Sequence, residues 1–274
     1  MSDSYFGGKA GAGVWQTIVN RIPPHECLIV PFAGHCAVSR FIRPCRRLIL
    51  CDADPEVCTW WESRLPDHGE IHHCDGIEFL RFHFGLTARA STDPATPAAA
   101  APAGVDESGG EVLGFPTDRI VVFCDPPYHL ETRTSATRYR CDFDAADQSR
   151  FLEVATRIPA AVLACGYRHK ALDDAFRDWS RTDYQAMTRG GLRIESLWQN
   201  FETTDLHDWR HYGRDKRERE KLKRRERSII GKLRAMPGPE RRRLLAALAD
   251  EFGDAAESHQ LAPRNPSACD RSSA

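Results

Sequence analysis

The tetrapeptide Asp125-Pro126-Pro127-Tyr128 follows the apolar run from Ile120 to Cys124 and is the sharpest chemical signal in the sequence. Two consecutive prolines, each with a fixed φ and no N–H, end a strand's hydrogen-bond ladder and stiffen the chain that follows. Such a loop holds one carboxylate, one carbonyl and one aromatic ring in a fixed relation. Asp125 and the Pro126 carbonyl suit the two N–H bonds of an amino group on a planar base, while Tyr128 suits stacking on the ring. Two acceptors that draw the amine of adenine toward tetrahedral geometry localise its lone pair and aim it at an electrophile. Orientation of this kind is worth roughly 7–11 kcal/mol at best. The competing structural role is a Pro-Pro turn in which Asp125 caps a neighbouring group.

Other residues have the right types to bind a ligand beside that loop. Near the N-terminus stands Tyr5-Phe6-Gly7-Gly8-Lys9, in which Gly7 and Gly8 let the backbone approach a ligand and Lys9 is free to reach a carboxylate or fix an acidic loop. Pro31-Phe32-Ala33-Gly34 reads as a strand-to-helix turn whose glycine permits close packing of an adenosine or methionine moiety. Asp52 and Asp75 each end a strand-like run. A carboxylate at such a place receives ribose hydroxyls or a ring amine, and equally well caps a helix or stays solvated. The eleven histidines show no metal-ligand spacing: His207 and His211 are four apart but lack the glutamate of an HExxH pattern, so no metal is expected.

These residues need a sheet to position them, and the sequence supplies the pattern of one. Short aliphatic runs at Cys27 to Phe32, Arg47 to Asp52, Glu70 to Asp75, Ile120 to Asp125 and Ala160 to Gly166 alternate with helix-like stretches, the habit of an α/β fold. Three of the runs end in aspartate, at the carboxyl edge where open α/β sheets bind ligands. After a helix around Lys170 to Trp179, extended stretches at Thr182 to Thr188 and Arg193 to Phe201 flank Arg189-Gly190-Gly191-Leu192, a hairpin signal. A Rossmann-like parallel sheet closed by an antiparallel hairpin is the layout used by S-adenosylmethionine methyltransferases. On this reading residues 1–205 form the core domain.

The chain of 274 residues carries 38 Lys+Arg against 39 Asp+Glu, a net charge of −1. That balance argues against a uniformly basic surface, so any polyanion contact must be local. No apolar run approaches the roughly 20 residues of a membrane span. Ten scattered cysteines form no CxxC pair and read as buried thiols of a reducing cytosol. The N-terminus lacks the features of a secretory signal, which leads to the expectation of a cytoplasmic protein.

Two segments stand outside the core pattern. Residues 87–116 are rich in Ala, Pro, Gly, Ser and Thr and read as a disordered insertion. From Arg210 to Arg234 there are twelve Lys/Arg against four Asp/Glu. Leu222, Ile229, Ile230 and Leu233 keep one face of that stretch apolar, and a second helix after Pro239 carries Leu244, Leu245, Leu248 and Phe252. Residues 206–257 are therefore predicted to form a basic helical hairpin, with a frayed tail over 258–274.

In their order along the chain, Tyr5 to Lys9, Pro31 to Gly34, Asp52, Asp75 and Asp125 to Tyr128 resemble the Dam-type DNA adenine N6-methyltransferases, over about residues 5 to 201. The resemblance implies that Tyr5, Lys9, Phe32, Gly34, Asp52 and Asp75 contact S-adenosylmethionine. It implies too that the loop at Asp125 holds both donor and target base. The partner would be double-stranded DNA with its target adenine flipped out of the helix, because a stacked amine cannot reach the donor. The resemblance leaves room for a restriction-enzyme partner.

The chain departs from that family at Val30, where a glutamate is usual, and at Cys36, where a glycine is usual. The interval from Gly76 to Cys124, which normally carries the target-reading insertion, is short and mostly low-complexity. DNA contacts are therefore expected elsewhere. One candidate is Arg133, Arg138, Tyr139 and Arg140 just after the Asp125 loop; the other is Arg217, Lys221 and Arg224 on the basic helix. A solvated basic loop and a solvated helix face are the ordinary alternatives. The same loop geometry also suits cytosine N4 or an RNA adenine, and an inactive DNA-binding relative would keep the fold.

Overall fold

The computed structural model describes residues 9–11, 13–86, 111–128, 141–188 and 191–257. They divide into two units, Met1–Asp208 and Trp209–Ala274. The first extends three residues beyond the expected boundary at 205. His207 stacks on His25 with ring centroids 3.9 Å apart, and the Asp208 carboxylate accepts the Arg43 N–H at 2.8 Å. These contacts make residues 206–208 part of the core.

Five parallel strands form the centre of the first unit: β1 (Cys27–Val30), β2 (Arg47–Asp52), β3 (Gly69–His73), β6 (Ile120–Cys124) and β7 (Ala161–Gly166). β8 (Ser180–Thr188) and β9 (Gly191–Gln199) form the hairpin, and β9 runs antiparallel to β7. The order is β3-β2-β1-β6-β7-β9-β8, so the direction of winding reverses between β1 and β6. The fold is the α/β, Rossmann-like sheet closed by an antiparallel hairpin that the sequence predicts. Every residue of β1 and of β6 is buried, which is why these strands read as unbroken apolar runs.

Alternate residues feed two cores. Cys27 and Ile29 pack on one face with α4 (Gly76–His83), α5 (Ala145–Ala155) and α6 (Lys170–Ala175). Leu28 and Val30 pack on the other with α1 (Val14–Val19), α2 (Ala37–Phe41) and α3 (Pro55–Glu62). Helix starts follow the capping chemistry of the sequence: Asp54 caps α3 with Pro55 in its first turn, Asp75 caps α4, and Asp144 with Asp147 forms a capping box on α5.

One expectation needs correction. The segment 87–116 does not stay irregular to its end, because Glu111–Val112 (β4) and Phe115–Pro116 (β5) pair as a small hairpin. Leu113 and Gly114 both have positive φ, the pattern of a tight two-residue turn. Val112 and Phe115 enter the core, and Arg47 donates to the Leu113 carbonyl at 3.1 Å. Two apolar side chains with a core site to fill override the composition around them. The remainder of that stretch lies outside the described residues.

The second unit contains α7 (Lys216–Ala235) and α8 (Gly238–Glu257). Both predicted helices form, and Asp215 caps α7 through the Glu218 N–H. Neither buries its apolar stripe: Ile229, Leu245 and Phe252 are exposed. No described helix is long and apolar enough to cross a membrane.

A glycine holds α4 against the turn after β1. A Cβ on Gly76 would lie 1.9 Å from the Pro31 carbonyl oxygen, a backbone atom that cannot swing away. Gly76→Ala is expected to lower stability by about 1–3 kcal/mol, read as a reduced urea midpoint; an unchanged midpoint would show that the two segments are not locked together.

Candidate active site

The turns after β1, β2, β3 and β6 converge on one open cleft of about 190 Å³ at the carboxyl edge of the sheet. It lies where the strand order reverses, the place at which open α/β sheets leave a crevice. Asp52, Asp75 and Asp125 all line it, together with Lys9, Phe32 and Gly34. The three aspartates nevertheless have three different sets of partners.

Asp52 braces a turn. Its Oδ2 accepts the Gly34 N–H at 2.8 Å and its Oδ1 accepts the Asp54 N–H at 2.9 Å. Gly34 has φ 43°, left-handed backbone that favours glycine, and its carbonyl accepts from the Trp61 indole at 2.7 Å. Burial pushes the Asp52 carboxyl above its ordinary range, against the pull of those two N–H donors. Cys36, the departure from the expected glycine, caps α2 through its sulfur and the Ser39 N–H.

Asp75 is a helix cap. Its Oδ1 accepts the Ile77 and Glu78 N–H groups at 2.7 and 3.2 Å, while Oδ2 lies 3.3 Å from Arg150 on α5. Each oxygen of Asp52 and Asp75 keeps lone-pair capacity beyond these bonds. Phe32 forms an apolar wall, edge-on to Phe143 and Phe151 at centroid distances of 5.4 and 5.6 Å.

Asp125 belongs to a buried ionic cluster. The Lys9 ammonium lies 2.9 Å from Asp125 Oδ1 and 3.3 Å from Glu195 Oε2, and it donates to the Tyr128 hydroxyl at 2.5 Å. That hydroxyl is 3.2 Å from Asp125 Oδ1 and 3.0 Å from Glu195 Oε2, and Tyr184 donates to the same glutamate oxygen at 3.0 Å. Lys9 is 5% exposed, Glu195 7% and Asp125 18%, so Asp125 is the most open of the three, and it lines the cleft together with Lys9.

The electrostatics follow from one cation facing two carboxylates. Burial alone would lower the Lys9 pKa, but the Asp125 and Glu195 charges outweigh it and hold the ammonium above its ordinary range. Burial raises the Asp125 carboxyl and Glu195 raises it further, while Lys9 opposes both. Burial, then the two carboxylates, pushes the Tyr128 phenol well up. Gln148 of α5 ties the proline loop down by donating to the Pro127 carbonyl at 2.7 Å.

Several expected residues meet here and others do not. Lys9 takes the second of its two roles, fixing the acidic loop. The hydroxyl of Tyr128 turns into the cluster, and its ring meets Tyr167 edge-on at 4.8 Å. Tyr5, Gly8, Arg133, Arg138, Tyr139 and Arg140 lie outside the described residues. Arg217, Lys221 and Arg224 are exposed and share one face of α7 by their spacing. Glu195, Tyr184 and Gln148 were not singled out in the sequence. A signal existed for Glu195, since strand alternation places it on the same side as buried Leu197. Among the described residues no group of histidines, cysteines or carboxylates is arranged to hold a metal ion.

No family model matches this chain, and no curated protein sequence matches it. Solved structures with a similar outline include the 23S rRNA methyltransferase ErmE, at 14% identity over 87% of each chain with a TM-score of 0.36. An rRNA methylase from Streptococcus thermophilus is 9% identical over 68% of this chain and 93% of its own, with a TM-score of 0.36. The precorrin 8W decarboxylase of Methanobacterium thermoautotrophicum is 9% identical over 68% and 87%, with a TM-score of 0.37. Likeness at this level leaves the chemistry to be read from this chain's own residues.

The cluster separates two substitutions by sign. Lys9→Met removes the cation from two buried carboxylates and is expected to cost about 3–5 kcal/mol. Asp125→Asn should cost no stability at pH 7. Folding raises this carboxyl above its ordinary value of 3.8, so its ionised form opposes folding increasingly as pH rises from there through the folded value, and the amide is free of that penalty. Urea denaturation of both variants at pH 7 checks this; a large loss in Asp125→Asn would contradict it.

Proposed function

We propose that this protein is an S-adenosylmethionine-dependent methyltransferase whose acceptor is the exocyclic N6 amine of a flipped adenine in DNA. The observation that supports this most is the placement of Asp125, pinned through one oxygen by Lys9 and Tyr128 at the mouth of a cleft over the strand-order reversal. The donor set of the cleft suits the methyl donor: Asp52 and Asp75 offer acceptors for hydroxyl and amino groups, and Phe32 with Phe143 offers an apolar wall. When bound, S-adenosylmethionine supplies an electrophilic methyl group on a sulfonium.

The residues of the chain then have defined tasks. Every bond that Asp125 makes to a described side chain runs through Oδ1, which leaves Oδ2 to accept an N–H from the amine. With the Pro126 carbonyl as second acceptor, the lone pair is directed along the line of attack. The stiffness of the two prolines keeps this geometry without reorganisation, where misplacement by 1 Å costs about 10²-fold. Outside the core unit, Arg217, Lys221 and Arg224 present a basic strip suited to phosphate contacts.

Labelled S-adenosylmethionine with duplex DNA and with RNA, followed by mass spectrometry of the nucleosides, tests the reading. N6-methyladenine in DNA is expected, and Asp125→Ala should lower kcat by about 10²-fold or more. N4-methylcytosine, label confined to RNA, or full activity without the carboxylate would each overturn it. Replacing Arg217, Lys221 and Arg224 with alanine should weaken DNA binding similarly for all sequences and flatten its log–log salt dependence by roughly 0.9 per phosphate contact removed.

A further inference from the structure

Glu195 is a buried carboxylate in the middle of a strand, 7% exposed, with no role in the chemistry described above. A charge in that position is costly unless it is matched. Its Oε2 receives Lys9 from the N-terminal segment and Tyr184 from β8, and it shares with Asp125 Oδ1 the single proton of Tyr128 from the proline loop, at 3.0 and 3.2 Å. Two of these, Lys9 and Tyr128, are also the groups that hold Asp125 Oδ1. Glu195 itself makes no bond to Asp125 among the described side chains. Its hydrogen bonds reach Asp125 only through these shared partners.

The sharing has a geometric consequence. An ammonium has three donors and a phenol one, and without an anchor behind them both would be free to swing toward the open cleft. Glu195 draws them inward from the sheet side, so they meet Asp125 at Oδ1 and leave Oδ2 without a bond to a described side chain. It also decides the charge: one cation for two carboxylates leaves the cluster one negative charge in excess. We infer that Glu195 is a positioning residue for Asp125, acting through Lys9 and Tyr128 to pin one carboxylate oxygen and reserve the other for the amine. This rests on the proposed methyl transfer for its purpose, though not for its physical test.

Asp125 is faced by Lys9, by Tyr128 on its own loop, by Glu195, by Tyr184 on β8, by Cys165 on β7 and by Cys36 after β1. Burial pushes both phenols and both thiols up, so each is neutral at ordinary pH. Lys9 and Glu195 are then the charges that act on Asp125, with opposite signs.

The test is Glu195→Gln, which keeps an acceptor for the tyrosines and removes the charge. In ligand-free protein carrying carboxyl-labelled aspartate, the ¹³C titration of Asp125 should move to lower pH by about half a pH unit or more, because the nearby negative charge is gone. In the assay kcat should fall about tenfold or more while KM for donor and DNA stays within about twofold, and the acid limb of the rate profile should shift the same way. Tyr184→Phe, which removes one donor to Glu195 and the contact to Cys165 Sγ but no hydrogen bond to Asp125, should lower kcat less and in the same direction. A folded Glu195→Gln protein with the wild-type titration and wild-type kcat would overturn the inference. Absence of methyl transfer in the unsubstituted protein would instead sink the proposed function, since the titration in ligand-free protein does not depend on it.

Discussion

The site depends on one ammonium shared between two carboxylates. Lys9, Asp125 and Glu195 come from the start of the chain, its middle and its closing hairpin, and both carboxylates lie within 3.3 Å of the ammonium. Removing charges from water is expensive, and a buried ion pair often stabilises less than an apolar substitute of the same shape. This cluster is further from balance than a pair, because one of its negative charges has no matching cation. A fold selected for stability alone would have little reason to keep it at the mouth of a cleft. Placed there, it keeps the proline loop, the sheet and the N-terminal segment in one register, and it leaves negative potential where a cationic donor and a developing positive charge on an amine would be welcome.

The strand-end aspartates show how neighbours assign roles to identical side chains. Asp52 ends β2, Asp75 and Asp125 follow β3 and β6, and all three border the same cleft. Asp52 meets two backbone N–H groups and stiffens the turn that carries Gly34. Asp75 meets the first turn of α4 and becomes its cap. Asp125 meets the side chains of Lys9 and Tyr128 in place of a helix start. The reversal of strand order separates the β1 and β6 turns and makes the space between them. Position in the fold brings the three together; the few residues after each decide what it does.

The two units divide the physical requirements of the proposed reaction. The core carries the cleft, a closely packed sheet and a buried cluster with more carboxylates than cations. α7 carries the opposite balance, with basic residues on one face and Leu222, Ile229 and Leu233 on another. Twenty-residue helices with exposed side chains are poorly supported as isolated objects, since most helix stability comes from packing an apolar face. The positive charge of α7, which the net-acidic α8 does not share, is what the proposed polyanion contact calls on, since long-range attraction needs no preformed pocket.

Much of the architecture was legible in the residues. Unbroken apolar runs marked strands buried on both faces, and the Gly-Gly pair marked the hairpin that closes the sheet. Asp-Pro-Pro-Tyr marked the stiff corner, because proline's fixed φ acts wherever the residue sits. Local chemistry of this kind is carried by the chain itself and needs no distant contact. What the chain could not state was which of several acceptors each charged group would find. Lys9 pairs with residues 116 and 186 positions away, Val112 and Phe115 leave a stretch of disordered composition to fill a core site, and Glu195 exchanges the look of a surface strand residue for the centre of an ionic cluster. Such partnerships depend on the distance between side chains after the sheet has closed, and that distance is set by packing over the whole unit.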